Sequence, residues 1–256
     1  MKKATAFVLP LVLLVLLAFI GSASGAGEPK SLLPQPNGCY PVGTKTVVLR
    51  DAHRNRDLLV TLWYPAAGPT EALAPYMDKK TAQAIAQDWE LQPGFERDIR
   101  TNSSLGPAPA KGSFSVVLLE HGSGMVPAVY SILAEGLASN GFFVVATNHP
   151  PDSLISVLPD GRESRFAPYW PEKASRHDQG VAIGKFAEDV LLADVRFVLD
   201  QLQEMNTRDD LWRGHFDLAK IASSATPWAA PLRVWPSRKS RASSPESIST
   251  DRPIPA

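Results

Sequence analysis

The clearest hydrophobic pattern lies in "FSVVLLEHGSGMVPAVYSILAEGLASNGFFVVATNHPPD", from Phe114 to Asp152, where apolar runs flank a helical stripe. Val116 to Leu119 is a continuous apolar run, as expected of a parallel strand covered on both faces. Pro127 suits a first helical turn. Val129, Ile132, Leu133 and Leu137 share one face of a helix that stops at Asn140-Gly141. "FFVVAT" is the next buried strand. Strand, Gly-rich turn, helix and strand in this order predict a β-α-β unit with a right-handed crossover, and hence an α/β fold.

Upstream, "TKTVVLRDAHRNRDLLVTLWYPA" gives two β-rich runs around a charged, turn-like centre at Asp51 to Asp57, the pattern of a β-hairpin ended by Pro65. Residues 66–112 are rich in Pro, Ala, Gly and charge and read as an insertion over the domain. Within them "MDKKTAQAIAQDWE" has the spacing of one amphipathic helix. Residues 150–180 are loop-like, with six prolines and glycines from Pro150 to Pro171. A helix follows, "AIGKFAEDVLLADVRFVLDQLQEMN", with Val190, Leu191, Val195, Val198, Leu199 and Leu202 as its apolar stripe. "HFDLAKIA" then opens another buried strand, and after Ile221 the apolar pattern stops.

Composition narrows the classes. The 256 residues suffice for one sizeable domain with a core. The formal charge is zero and no basic face stands out, which argues against nucleic acid as a partner. A single cysteine, Cys39, excludes an internal disulfide framework and shows no metal-ligand spacing. At the N-terminus, Lys2 and Lys3 precede an apolar run from Ala4 to Ile20 and then small residues. This is the layout of a secretory leader cut between Ala23 and Ala26, so residues 1–26 are expected to be removed and the chain exported. The apolar run, interrupted by Pro10, is short for a membrane span.

Four features together resemble secreted α/β-hydrolases of the platelet-activating factor acetylhydrolase and dienelactone-hydrolase-like group. They are the "VGT" to "RDAHRNRDLLVTLWYPA" opening, "LLEHGSGM", "LASNGFFVVATNHPPDS", and the "DVRFVLDQL" helix leading into "FDLAKI". The resemblance covers Tyr40 to Ile221. It implies an α/β-hydrolase fold of which residues 27–221 are the front part, with the later strands missing. It also implies a carboxylic ester hydrolase for short acyl or lipid-borne acetyl esters, with a small-molecule or lipid ester as partner and no cofactor. Such enzymes use a serine nucleophile on a G-x-S-x-G elbow, with an Asp and a His later in the chain. No G-x-S-x-G occurs in the 256 residues, so none of the three can be assigned.

The genetic code offers a reason. When each codon's third base is read with the next codon's first two, the text from Ala222 onward can encode V-F-G-H-S-L-G-G-A-T-A. The second elbow glycine is forced by Trp228-Ala229, and the other positions are permitted. Pro245 to Arg252 permits G-I-N-L-D-G in the same frame, similar to the family's later acidic strand. A one-base slip after Ile221 is therefore expected, with residues 222–256 an out-of-frame tail that carries no stable fold. The competing readings are a catalytically dead ligand-binding module and a non-functional fragment.

One site element survives in "HGSGM". By resemblance, the backbone N–H of Ser123 is an oxyanion donor, with Gly122 and Gly124 shaping the turn. His121 is expected to brace that loop, His149 to order the loop at a strand end, and Asp152 to cap a turn. Ser223 and Ser224 lack the flanking glycines of an elbow and read as tail serines. His53, His177 and His215 sit in polar contexts and are expected to be solvated. Pro168-Tyr169-Trp170 is either a loop cluster or a lipid-contact patch.

Overall fold

A computed structural model describes residues 33–225; the expected leader and most of the expected tail lie outside the described residues. Strands β1 (Val42–Asp51) and β2 (Arg56–Pro65) pair antiparallel over their whole length, giving the expected hairpin. Its turn includes Asn55 at φ 53°, a left-handed position that Asn tolerates. β5 (Phe114–Glu120) and β6 (Phe142–Thr147) are parallel neighbours joined through α2 (Ser131–Ser139), the expected β-α-β unit. With β3 (Leu73–Pro75), β4 (Arg100–Leu105) and β9 (Phe216–Ala225) they form one mixed sheet in the order β3-β4-β1-β2-β6-β5-β9.

The 66–112 stretch does more than lie over the domain. It contains α1 (Lys79–Asp88), N-capped by the Asp78 carboxylate, as its pattern predicts. It also adds β4, parallel to β1, and β3, antiparallel to β4, to the sheet edge. "RTNSSL" carries almost no apolar signal because a strand joins a sheet through its main chain. The 150–180 stretch likewise hides a small hairpin, β7 (Ile155–Val157) with β8 (Glu163–Arg165).

Each face of the sheet has its own core. On one face Leu58, Val60, Leu62, Val116, Phe143 and Trp212 pack with Val198 and Leu202 of α4 (Leu192–Arg208). The long helix expected over 182–206 is α3 (Arg176–Phe186) continued through a π turn at Ala187–Leu191 into α4. The stripe therefore breaks: Val195, Val198 and Leu202 are buried, while Val190 and Leu191 are only half-buried.

On the other face α2 corrects the expected pattern. Its buried residues are Ser131, Ala134, Glu135, Ala138 and Ser139, while Ile132 and Leu133 are 50% and 47% exposed. Ala134 and Ala138, both fully buried, pack with Leu119, Trp63, Val144 and Ala146. Small side chains let the helix backbone approach the sheet closely, so it rotates its large residues outward. Glu135 is held in this position by Asn102 and by the Ser103 hydroxyl, which donates to Oε1 at 2.6 Å.

β9 corrects two further expectations. It pairs only with β5 among the described residues, and most of it is half-buried or exposed, so it is an edge strand and not a buried one. It also runs through Ala225, so four residues assigned to the tail continue the strand. Ala222, Ser223, Ser224 and Ala225 pair with Val117, Leu118, Leu119 and Glu120. Main-chain pairing carries the strand past the point where its side-chain pattern fails.

Candidate functional site

β5 and β6 end side by side, and polar groups gather there: Glu120 and His121 at the end of β5, Asn148 and His149 just past the end of β6. The "HGSGM" turn follows β5. Gly124 takes φ +72°, a left-handed angle for which glycine is suited, and its N–H donates to the Asp152 carbonyl at 2.8 Å. The Met125 N–H donates to the Gly122 carbonyl, and the Gly122 N–H donates to the Tyr130 hydroxyl. The Ser123 hydroxyl donates to Asp152 Oδ1 at 2.6 Å. No hydrogen bond among the described residues uses the Ser123 N–H. The turn is thus clamped through its side chain and flanking amides, with that one donor left over.

His121 and His149 tie the turn to the facing loop. His121 Nε2 accepts from the Ser153 hydroxyl at 2.8 Å, and Ser153 Oγ accepts from the His149 N–H. His121 Nδ1 lies 2.8 Å from the Gly122 carbonyl and so carries the proton. Burial, and then the charge on His149, push the His121 pKa down to about 4, so the ring is neutral. The loop begins with a cis Pro150-Pro151 bond.

His149 sits between two carboxylates, with Nε2 2.8 Å from Glu120 and Nδ1 3.1 Å from Asp194. Burial alone would lower its pKa, but the Glu120 charge and the hydrogen bonds to both acids outweigh this and raise it to about 9. Burial pushes the Asp194 carboxyl up, but hydrogen bonds from His149 and Arg56 overcome this and hold it below the ordinary value. Arg54 and Arg56 complete the network at 2.7 and 2.8 Å from Asp194, and Arg56 also donates to the Pro150 carbonyl. Each buried charge faces an opposite one, which is the condition for keeping charges out of water.

Of the expected residues, Gly122, Ser123, Gly124, His121, His149 and Asp152 meet at this one place. His53 and His177 are exposed, and His215, half-buried, hydrogen-bonds to the Gly112 carbonyl, so it is less solvated than expected. Tyr169 stacks on Phe186 at 3.9 Å and meets Trp170 edge-on, making an aromatic cluster near Ser123 and Asp152. Glu120, Asp194, Arg54 and Arg56 escaped the sequence reading. The available signal was an Asp inside an apolar stripe, between Val190 and Val198 at helical spacing.

β9 ends at the same place. Glu120, the last residue before the turn, pairs with Ala225, the last described residue of β9. Ser223 Oγ is buried and has no hydrogen-bond partner among the described residues. Among the described residues no helix is long and apolar enough to cross a membrane.

Comparison with known proteins agrees with this layout. A ferulic acid esterase from Streptomyces cinnamoneus superposes with a TM-score of 0.60 at 31% identity, over 75% of this chain and 53% of its own. The chain thus spans about half the length of that esterase. A hypothetical protein from Pseudomonas aeruginosa overlaps 77% of this chain and 38% of its own at 13% identity, with a TM-score of 0.31 that carries no argument. The family model for platelet-activating factor acetylhydrolase, isoform II, matches residues 25–159, more than half of the 256. Its mixed sheet with flanking helices is part of an α/β-hydrolase fold, and the chain belongs to the platelet-activating factor acetylhydrolase isoform II family.

Proposed function

We propose that the gene specifies a secreted carboxylic ester hydrolase acting on short acyl or lipid-borne acetyl esters, and that this chain is its inactive form, cut off from its nucleophile by a one-base slip after Ile221. The register between β5 and β9 carries the reading. Glu120 and Ala225 end the two parallel strands level with each other. With one base restored after Ile221, V-F-G-H-S occupies positions 223–227, so its serine falls two residues past the strand end at Ala225. A nucleophile there stands beside the "HGSGM" turn, as ester hydrolysis requires.

In the restored protein the elbow serine attacks the ester carbonyl while a histidine takes its proton and an aspartate orients the histidine. The oxyanion is held by the Ser123 N–H and by the N–H of the residue after the serine. Ser123 Oγ, bonded to Asp152, fixes the turn without using that N–H. The orphaned Ser223 hydroxyl supports the same frame, since the restored text has an apolar Val at that position. The leader supports export.

The test expresses this chain and a chain with the one base restored, and assays each with a chromogenic acetyl ester and a feruloyl ester. The restored chain is expected to hydrolyse at least one of them and this chain neither. Hydrolysis by this chain, or a stop codon soon after Ile221 in the restored frame, overturns the reading.

A further inference from the structure

A cleft of about 390 Å³ opens on the sheet face away from α4, a size typical of small-molecule sites. Its floor is β1, β2 and β4, including Thr61 and Trp63. Tyr76 and Met77, on the way from β3 to α1, wall one side, and Val126 to Ala128 wall another. Val157 to Pro159 close the end. The lining takes up the chain one residue past Met125, so the cleft adjoins the "HGSGM" turn without including it.

The serine and threonine hydroxyls on this wall are spent on the protein. Thr44 donates to the Leu62 carbonyl and Thr101 to the Ala74 carbonyl. Thr46 and Thr61 bond to each other, and Thr81 donates to Asp78. Ser103 donates to Glu135 and Ser131 to the Ala128 carbonyl. Asn148 differs. Its backbone N–H donates to the Leu59 carbonyl, but its side-chain oxygen is buried without a hydrogen-bond partner among the described residues, in a residue only 6% exposed.

A buried amide left unbonded costs about 1–3 kcal/mol and is uncommon without a reason. Here the reason is a ligand. We propose that the cleft binds a small apolar molecule carrying one hydroxyl group, with the hydroxyl hydrogen-bonded to the Asn148 amide and the apolar body against Trp63, Met77 and Val126. An amide presents either its oxygen or, turned by half a revolution, its nitrogen. A hydroxyl is both donor and acceptor and satisfies either. With every serine and threonine of the wall already bonded, a second polar group on the ligand finds no serine or threonine partner there. All lining residues lie between Thr44 and Pro159, upstream of β9, so the site is independent of the missing nucleophile and of the ester-hydrolase reading.

Equilibrium dialysis of the full chain, and of the frame-restored chain, against 2-naphthol and its near-isostere 2-methylnaphthalene tests this. Both chains are expected to bind 2-naphthol saturably at one site, roughly three- to tenfold tighter than 2-methylnaphthalene, the worth of one hydrogen bond. Thr61→Trp, which fills the cleft, should abolish binding of both probes, and Asn148→Leu should erase the preference between them. No saturable 2-naphthol binding by either chain, equal affinity for the two probes, or binding that survives Thr61→Trp would overturn the proposal. If circular dichroism shows Asn148→Leu unfolded, the unsubstituted chains and Thr61→Trp decide it.

Discussion

β5 and β9 are parallel neighbours that end level with each other, yet they end in opposite ways. After Leu119, every side chain at the end of β5 has a task. Glu120 pairs with His149, His121 bonds Ser153, and Ser123 bonds Asp152. β9 keeps its pairing to Ala225, but beyond Ile221 its side chains are only alanines and serines, and Ser223 Oγ is buried without a partner among the described residues. Where local pattern, packing and polar satisfaction agree, a segment specifies its own structure; where they part, the backbone follows its neighbour alone. β5 reads as an evolved strand end. The last residues of β9 hold their place through main-chain pairing, as the proposed slip after Ile221 would leave them.

The largest expected effect breaks the ordered side of this pair. His149→Leu leaves Glu120 buried without its cation, and should cost about 3–5 kcal/mol in urea unfolding of the restored chain. A loss under about 1 kcal/mol would mean that the network does not hold the strand ends together.

Next comes the turn. In the restored chain Ser123→Pro removes the spare N–H and should lower kcat by about 10²–10³-fold. Ser123→Ala removes only the bond to Asp152 and should cost less than about tenfold. Equal losses in the two variants would place the role in the hydroxyl and not in the amide.

The two histidines give the same strand end a pH signature. The His149 pKa, raised from 6.5 to about 9, gives stability that is full below 6.5 and lost as pH rises through 9. The His121 pKa, lowered to about 4, gives stability that is full above 6.5 and lost as pH falls through 4. Thermal melting should therefore peak between about pH 6 and 7 and decline on both sides. A profile that is flat from pH 5 to 9 would contradict the charge assignment.

The smallest effect is on the β9 side. Ser223→Val removes the orphaned hydroxyl and should raise stability by about 1 kcal/mol in urea unfolding of this chain. Destabilisation would show that the hydroxyl has a partner after all.

Much of this contrast was legible in the residues. The hairpin, the β-α-β unit and α1 follow from apolar spacing, and the turn follows from its glycines. β4 was hidden because it pairs through its main chain while showing polar side chains, and β3 because it is only three residues long. The orientation of α2 was misread because Ile132 and Leu133 carry more hydrophobic signal than Ala134 and Ala138, although close helix-sheet contact favours the small pair. The Glu120-His149-Asp194 network was invisible for another reason. Its members come from two strands and a helix, and only the fold brings their charges into register.

The most direct measurement is active-site labelling with a fluorophosphonate, read by mass spectrometry, on this chain and on the frame-restored chain. The account predicts one modified serine in the restored chain, at position 227 just past the strand that starts at Phe216, and none in this chain. A labelled serine in this chain, or a restored chain that stays unlabelled while folded, would contradict it.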